Sequence, residues 1–241
     1  MTATQAVEEI RFGGASVHSA ELFTPAEVAA IVAAVDAVPA GLRHECWGTP
    51  EARSMATIGE PLYRNRARLA YYEERARAES RPLYRHFRLA HDRVATFFEH
   101  RYGLPVVYAD ELAVPGFHLF EFGAPGEYDG GGWHIDALEL QTPALFARRA
   151  EITAVVNFTV PFALPDGGSG LDLQADAPDA RPGRRGGGQP ITVPYRAGTM
   201  LFTESELLHR ISGSRCLTPD QRRVTYQGHG VRLDGRWIFF W

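Results

Sequence analysis

The sequence predicts a mainly β protein with flanking helices, an eight-stranded jelly roll supported by helices from its N-terminal part. Three observations predict it. Helical periodicity is confined to roughly the first hundred residues; after Leu112 short apolar runs are divided by Gly, Pro and Asp turns; and Asp234-Gly235 between two apolar runs marks a terminal hairpin.

Thr24-Pro25-Ala26-Glu27 combines an N-cap, a proline at the first helical position and a capping-box glutamate. Val28, Ile31, Val32 and Val35 follow at helical spacing, and residues 39–41 close the helix. Residues 41–60 lack a clear period, apart from a short extended piece at 56–58. Residues 64–79, rich in Arg, Glu and Tyr, read as a solvated helix face, with a lid or substrate-facing segment as the alternative. Leu83, Phe87, Ala90, Val94, Phe97 and Phe98 mark an amphipathic helix over 82–102, stopped by Gly103 and Pro105. The strands expected next are 113–122, 133–137, 151–160, 170–174, 191–195, 199–202, 207–212 and 222–228, followed by the final hairpin ending in 237–241. An insertion at 176–190, dominated by Gly, Pro, Arg and Asp, reads as a flexible hairpin tip. The expected organisation is one domain over 1–241, with mainly helical support in 1–112 and the jelly-roll core in 113–241.

Composition narrows the function. A length of 241 residues with 45% hydrophobic and 22% charged residues suits an ordinary soluble domain with a sizeable core. A formal charge of −4 argues against a general nucleic-acid binder. No apolar run is long enough to span a membrane, and residues 1–10 are too polar for a secretory signal, so a cytoplasmic location is expected. Two cysteines, Cys46 and Cys216, are too few for a disulfide scaffold or a four-thiolate zinc site and are expected to be reduced. All 25 basic residues are Arg, which excludes lysine Schiff-base chemistry and the P-loop lysine. Any anionic cosubstrate paired with a full cation must meet Arg.

The sequence centres on Gly130-Gly131-Gly132-Trp133-His134-Ile135-Asp136. In an extended segment the period of two puts His134 and Asp136 on one face, two corners of a 2-His-1-carboxylate metal triad. From these residues alone the alternative is a turn holding a hydrogen-bonded His–Asp pair. His209, in Leu207-Leu208-His209-Arg210 on a later antiparallel stretch, gives the third ligand. Arg223 and Thr225 follow in Arg222-Arg223-Val224-Thr225-Tyr226, and on one strand face they can bind a carboxylate with a guanidinium fork and one hydroxyl. Surface salt bridges are the other reading of the paired arginines.

Together these residues resemble the Fe(II)/2-oxoglutarate-dependent oxygenases, especially the branch similar to prolyl 4-hydroxylases. The resemblance covers roughly 117–230: the strand 117–122 with Pro125-Gly126 and Tyr128, then His134-Ile135-Asp136, Gly167-Gly168-Ser169-Gly170, Gly198 with Phe202, His209, and Arg223-Val224-Thr225. It implies a double-stranded β-helix of cupin-like form with Fe(II) on His134, Asp136 and His209. It also implies 2-oxoglutarate chelating the metal through its keto acid end, its distal carboxylate on Arg223 and Thr225, and O₂ at the remaining position. Family members often place a tyrosine where Phe122 stands, to meet that carboxylate. His118, on the same strand face, and Asn157 are the candidate substitute donors, and core hydrogen bonding is the alternative for both. Asp136 separates this chain from related halogenases, which lack the carboxylate, so the resemblance implies hydroxylation rather than halogenation, with desaturation, epoxidation and ring formation on the same ligands left open.

The expected partner is a small-molecule substrate, an amino acid or a natural-product intermediate, with a homodimer left open. Peptidyl hydroxylation, favoured by an extended groove beside the metal, is the leading alternative. A non-catalytic cupin-type binding protein and a zinc hydrolase are the others, and an arginine facing the site argues against both.

Overall fold

The computed structural model describes residues 6–12, 15–49, 53–65, 67–136, 145, 147–174, 190–205 and 207–241. Residues 176–189 of the Gly/Arg-rich insertion, and Ala137 of the expected strand 133–137, lie outside them.

The expected capping box forms. Thr24 accepts a hydrogen bond from the Glu27 amide, and the Glu27 carboxylate accepts one from the Thr24 amide, starting helix α1 (Pro25–Asp36). Such a cap contributes about 1 kcal/mol. The periodic stretch 64–102 becomes two helices, α2 (Leu69–His86) and α3 (Arg88–Tyr102), rather than a solvated face followed by one helix from 82. The break falls at Phe87, which leaves helical geometry (φ −111°, ψ 32°) and buries its ring against Phe117 at 4.4 Å. One stripe of α2, Tyr72, Ala76, Glu79 and Leu83, is buried, so only its other side is the solvated face that the charge pattern suggested. Gly103, in the left-handed region at φ 67°, closes α3.

A ten-stranded sheet carries most of the fold. Its main path runs through β1 (Val7–Phe12), β2 (Ala15–Glu21), β11 (Thr199–Thr203), β8 (Ala154–Ala163), β14 (Gln221–Leu233), β6 (Gly116–Phe122), β4 (Arg53–Ile58) and β3 (Arg43–Thr49). The hairpin strand β15 (Arg236–Phe240) joins β14 and pairs with β5 (Val106–Val107). The turn between β14 and β15 has Asp234 and Gly235 both at positive φ, 54° and 71°, as an Asp-Gly hairpin requires. Two smaller sheets complete the jelly roll: β10 (Ile191–Pro194), β9 (Gly170–Gln174) and β12 (Leu208–Ile211) form one, and β13 (Ser214–Cys216) with β7 (Gly126–Tyr128) the other. The mainly β jelly-roll expectation holds, with a larger sheet than eight strands require. The N-terminal part, expected to be mainly helical, keeps its helices and adds β1 to β4 to the main sheet. The extended piece expected at 56–58 is the end of β4; elsewhere Ala, Ser and Glu in β2 and Arg and Ser in β4 dilute the period of two that reveals a strand.

The two faces of the main sheet have different uses. Val156, Val160, Phe117, Leu119, Val224 and Tyr226 project to one side and build the principal core with the helices. Their alternates, including His118, Phe120, Asn157, Thr159, Arg223, Thr225, Gln227 and His229, point inward toward the smaller sheets, as their cross-strand pairing requires. Among the described residues, no helix is long and apolar enough to cross a membrane. Both cysteines are free, Cys216 in the interior.

Candidate functional site

His134 and His209 face each other across an isolated antiparallel bridge, each amide donating to the other's carbonyl at 2.9 Å. The expected strand 133–137 is thus reduced, within the described residues, to this single pair. Its consequence is to hold the two imidazoles with ring centroids 4.4 Å apart. Gly130 makes the approach of this segment to β12 feasible, since a Cβ there would lie 2.3 Å from the Ile211 carbonyl oxygen.

Each ring has a fixed tautomer. His134 Nδ1 lies 2.8 Å from the Gly132 carbonyl, and His209 Nδ1 lies 2.8 Å from the Leu207 carbonyl. A carbonyl can only accept, so each Nδ1 carries a proton, and in the neutral ring Nε2 is the lone-pair nitrogen. Asp136 stands between them, Oδ1 4.0 Å from His134 Nε2 and Oδ2 3.7 Å from His209 Nε2. One ligand atom from each of the three residues lies within 4.8 Å of the other two. Two imidazole lone pairs and one carboxylate on a single side of a cavity fit a divalent metal of the iron and zinc type, with its other side open.

The cavity in front of the triad has a volume of about 520 Å³. Leu171, Leu173, Leu207 and Ile211 line it from the small sheet, and His118, Thr159, Gln227 and His229 from the large one. This is the size and character of a small-molecule site.

Arg223 lies further along the inner face than the lining residues, 2% exposed, its guanidinium stacked 4.1 Å from the Phe120 ring centroid. Nη1 donates to the hydroxyls of Ser169 (3.0 Å) and Ser214 (3.3 Å), while Nε is buried without a partner among the described residues. No carboxylate meets it among the described residues, and burial brings its pKa down to about 10. A guanidinium so placed is a buried cation lacking its anion, an expensive arrangement unless a ligand supplies one. Thr225 is fully buried two positions on, accepting a hydrogen bond from Gln227 Nε2 at 3.3 Å.

The two candidate substitute donors have protein partners. His118 Nε2 lies 2.8 Å from the Tyr63 hydroxyl; with the phenol donating, Nδ1 carries the proton, and Nδ1 is buried without a partner among the described residues. Burial, reinforced by Arg223, takes the His118 pKa down to about 3. Asn157 faces His229 across paired strands, and His229 Nδ1 lies 2.8 Å from Asn157 Oδ1. His229 in turn comes within 3.9 Å of Asp136 Oδ2, a fourth imidazole at the site that sequence reasoning missed. Tyr63, carried on the 3-10 turn Leu62–Arg64, was missed as well.

His118 and His91 together set an acid limit on stability. Burial holds both rings neutral, with pKa values near 3 against an ordinary 6.5. The unfolded chain takes up protons that the fold refuses, so stability is complete above about pH 6.5 and declines as pH falls toward 3. Each ring contributes at most about 1.4 kcal/mol per pH unit. Thermal melts of His118→Gln across this range should show a shallower decline than the parent; an identical slope would mean that His118 does not resist protonation.

No protein-family model and no curated protein matches the sequence. Solved structures do match the fold. An N-substituted L-amino acid dioxygenase from Burkholderia ambifaria AMMD, in complex with alpha-KG, superimposes with a TM-score of 0.58 at 12% identity, over 98% of each chain. AviO1 from Streptomyces viridochromogenes Tue57 gives 0.51 at 13% identity, over 96% of this chain and 91% of its own. A Pseudomonas putida prolyl-4-hydroxylase gives 0.42 at 13% identity, over 97% of this chain and 95% of its own. Over nearly its whole length, this chain has the jelly-roll fold of the Burkholderia dioxygenase.

Proposed function

We propose that the protein is an Fe(II)- and 2-oxoglutarate-dependent dioxygenase that hydroxylates an unactivated C–H bond of a small molecule, an amino acid or a natural-product intermediate. One observation carries the reading: a buried guanidinium, with no carboxylate partner among the described residues, lies on the same inner sheet face that, together with a 2-His-1-carboxylate triad, borders the cavity. A metal-binding barrel has no need of such a cation, and neither does a zinc hydrolase. The likeness in fold to a dioxygenase of N-substituted L-amino acids supports the substrate class.

His134, Asp136 and His209 would hold the iron from one side. The Gly132 and Leu207 carbonyls hold the Nδ1 protons, so in the neutral rings Nε2 is the lone-pair nitrogen turned to the metal position. Arg223, with the Thr225 hydroxyl and His118 Nδ1, would receive the distal carboxylate of the keto acid. Iron with 2-oxoglutarate and O₂ supplies the oxidative chemistry, which inserts oxygen into the C–H bond and releases succinate and CO₂. Leu171, Leu173, Leu207 and Ile211 would give the substrate an apolar surface beside the metal, while the His134 side chain remains 51% exposed among the described residues. An enclosure of about 520 Å³ favours a small molecule over the extended strand of a peptide.

Anaerobic titration of the Fe(II)-loaded protein with 2-oxoglutarate tests the reading directly. A visible metal-to-ligand charge-transfer band that grows and saturates is the expected result. Bound iron with no band at any 2-oxoglutarate concentration removes the cosubstrate and leaves a metal-binding protein or hydrolase.

A further inference from the structure

Phe122 has no hydroxyl to offer a carboxylate, and the structure supplies one from the opposite side of the barrel. We propose that Tyr195, on the small-sheet side, is a direct hydrogen-bond donor to the distal carboxylate beside Arg223, an inference that rests on the cosubstrate reading above.

Tyr195 follows β10, and its amide donates to the Ser169 carbonyl at 3.0 Å. The hydroxyl of the same Ser169 accepts from Arg223 Nη1 at 3.0 Å, so one residue fixes both the tyrosine backbone and the guanidinium. The ring packs among Val17, Leu173, Val193 and Leu201, which holds the phenol in direction as well as position. Tyr195 is 6% exposed and lines the cavity; Thr159 acts on Oη as a donor, and among the described residues no acceptor receives the phenol's own proton. Burial pushes the phenol up to about 12, so it keeps its proton and can donate at any working pH. The Arg223 charge acts on Tyr195 and the phenol acts back on Arg223, which places the two side chains in one electrostatic neighbourhood. Two buried donor groups with unmet capacity, Tyr195 Oη and Arg223 Nε, are what an anion would satisfy together.

The hydroxyl makes the site selective for a keto acid with a second carboxylate. Tyr195→Phe removes that oxygen and keeps the ring. Dissociation constants are measured anaerobically on the Fe(II)-loaded protein for 2-oxoglutarate and for 2-oxopentanoate, which has the keto acid end but no distal carboxylate. The variant should bind 2-oxoglutarate roughly 10–100-fold more weakly, the effect of a hydrogen bond to a charged group, while 2-oxopentanoate binding stays within about twofold. The second ligand also reports that the metal end is intact. Unchanged 2-oxoglutarate binding, or an equal loss for both ligands, overturns the assignment of Tyr195. If the parent itself fails to prefer 2-oxoglutarate, the cosubstrate reading falls and takes this assignment with it.

Discussion

Asp136→Ala should abolish substrate hydroxylation and leave the fold in place. Loss of an outer-shell partner typically costs about 10–100-fold in metal affinity, and loss of a directly coordinating carboxylate should exceed that. The fold should survive because Asp136 contributes to no strand ladder, and the backbone bridge between His134 and His209 does not involve it. With the carboxylate gone, two neutral imidazoles remain, and the site loses the one anionic donor that offsets the charge of a divalent ion. Iron content after anaerobic reconstitution, succinate release and the thermal midpoint separate these effects. Full iron occupancy with undiminished turnover would remove Asp136 from the proposed triad.

His134 and Asp136 were legible as a pair because two positions apart in an extended, glycine-led segment is a local pattern. His209 was legible only through its place on a later antiparallel stretch of the expected jelly roll. The structure brings all three together, although through a single bridge rather than the strand expected over 133–137. His229 was illegible for an identifiable reason. The expected strand stops at 228, the first of two glycines that flank His229, whereas β14 continues to Leu233. Those glycines serve packing: a Cβ at Gly228 would lie 2.6 Å from the Phe158 ring, and one at Gly230 would lie 2.5 Å from Phe239. Had the strand been carried through them, the period of two from Arg223 through Thr225 and Gln227 would have placed His229 on the inner face. Tyr63 and Tyr195 carry no such signal. One stands on a 3-10 turn and the other just past a short strand, and only the closed barrel turns them to the cavity.

Arg223→Met should separate stability from cosubstrate binding, moving them in opposite directions. The parent holds a cation at 2% exposure with two serine hydroxyls as its hydrogen-bond acceptors and no carboxylate among the described residues. Replacing a buried ion by an apolar side chain of similar reach is commonly neutral or stabilising, here by about 1 kcal/mol. For a chain of this size that raises the thermal midpoint by roughly 2–4 °C. Ser169 and Ser214 lose a donor but already lie 3.3 Å apart and can hydrogen-bond each other, and Phe120 gains an apolar neighbour in place of the guanidinium. Affinity for 2-oxoglutarate should meanwhile fall by about 1.5–3 kcal/mol, the contribution of a charge-assisted hydrogen bond. At one fixed concentration, 2-oxoglutarate, which binds only the folded protein, should therefore raise the midpoint of the parent more than that of the variant. A variant that loses stability yet binds 2-oxoglutarate as the parent does would show Arg223 to be structural. The distal carboxylate would then belong to another of the chain's arginines.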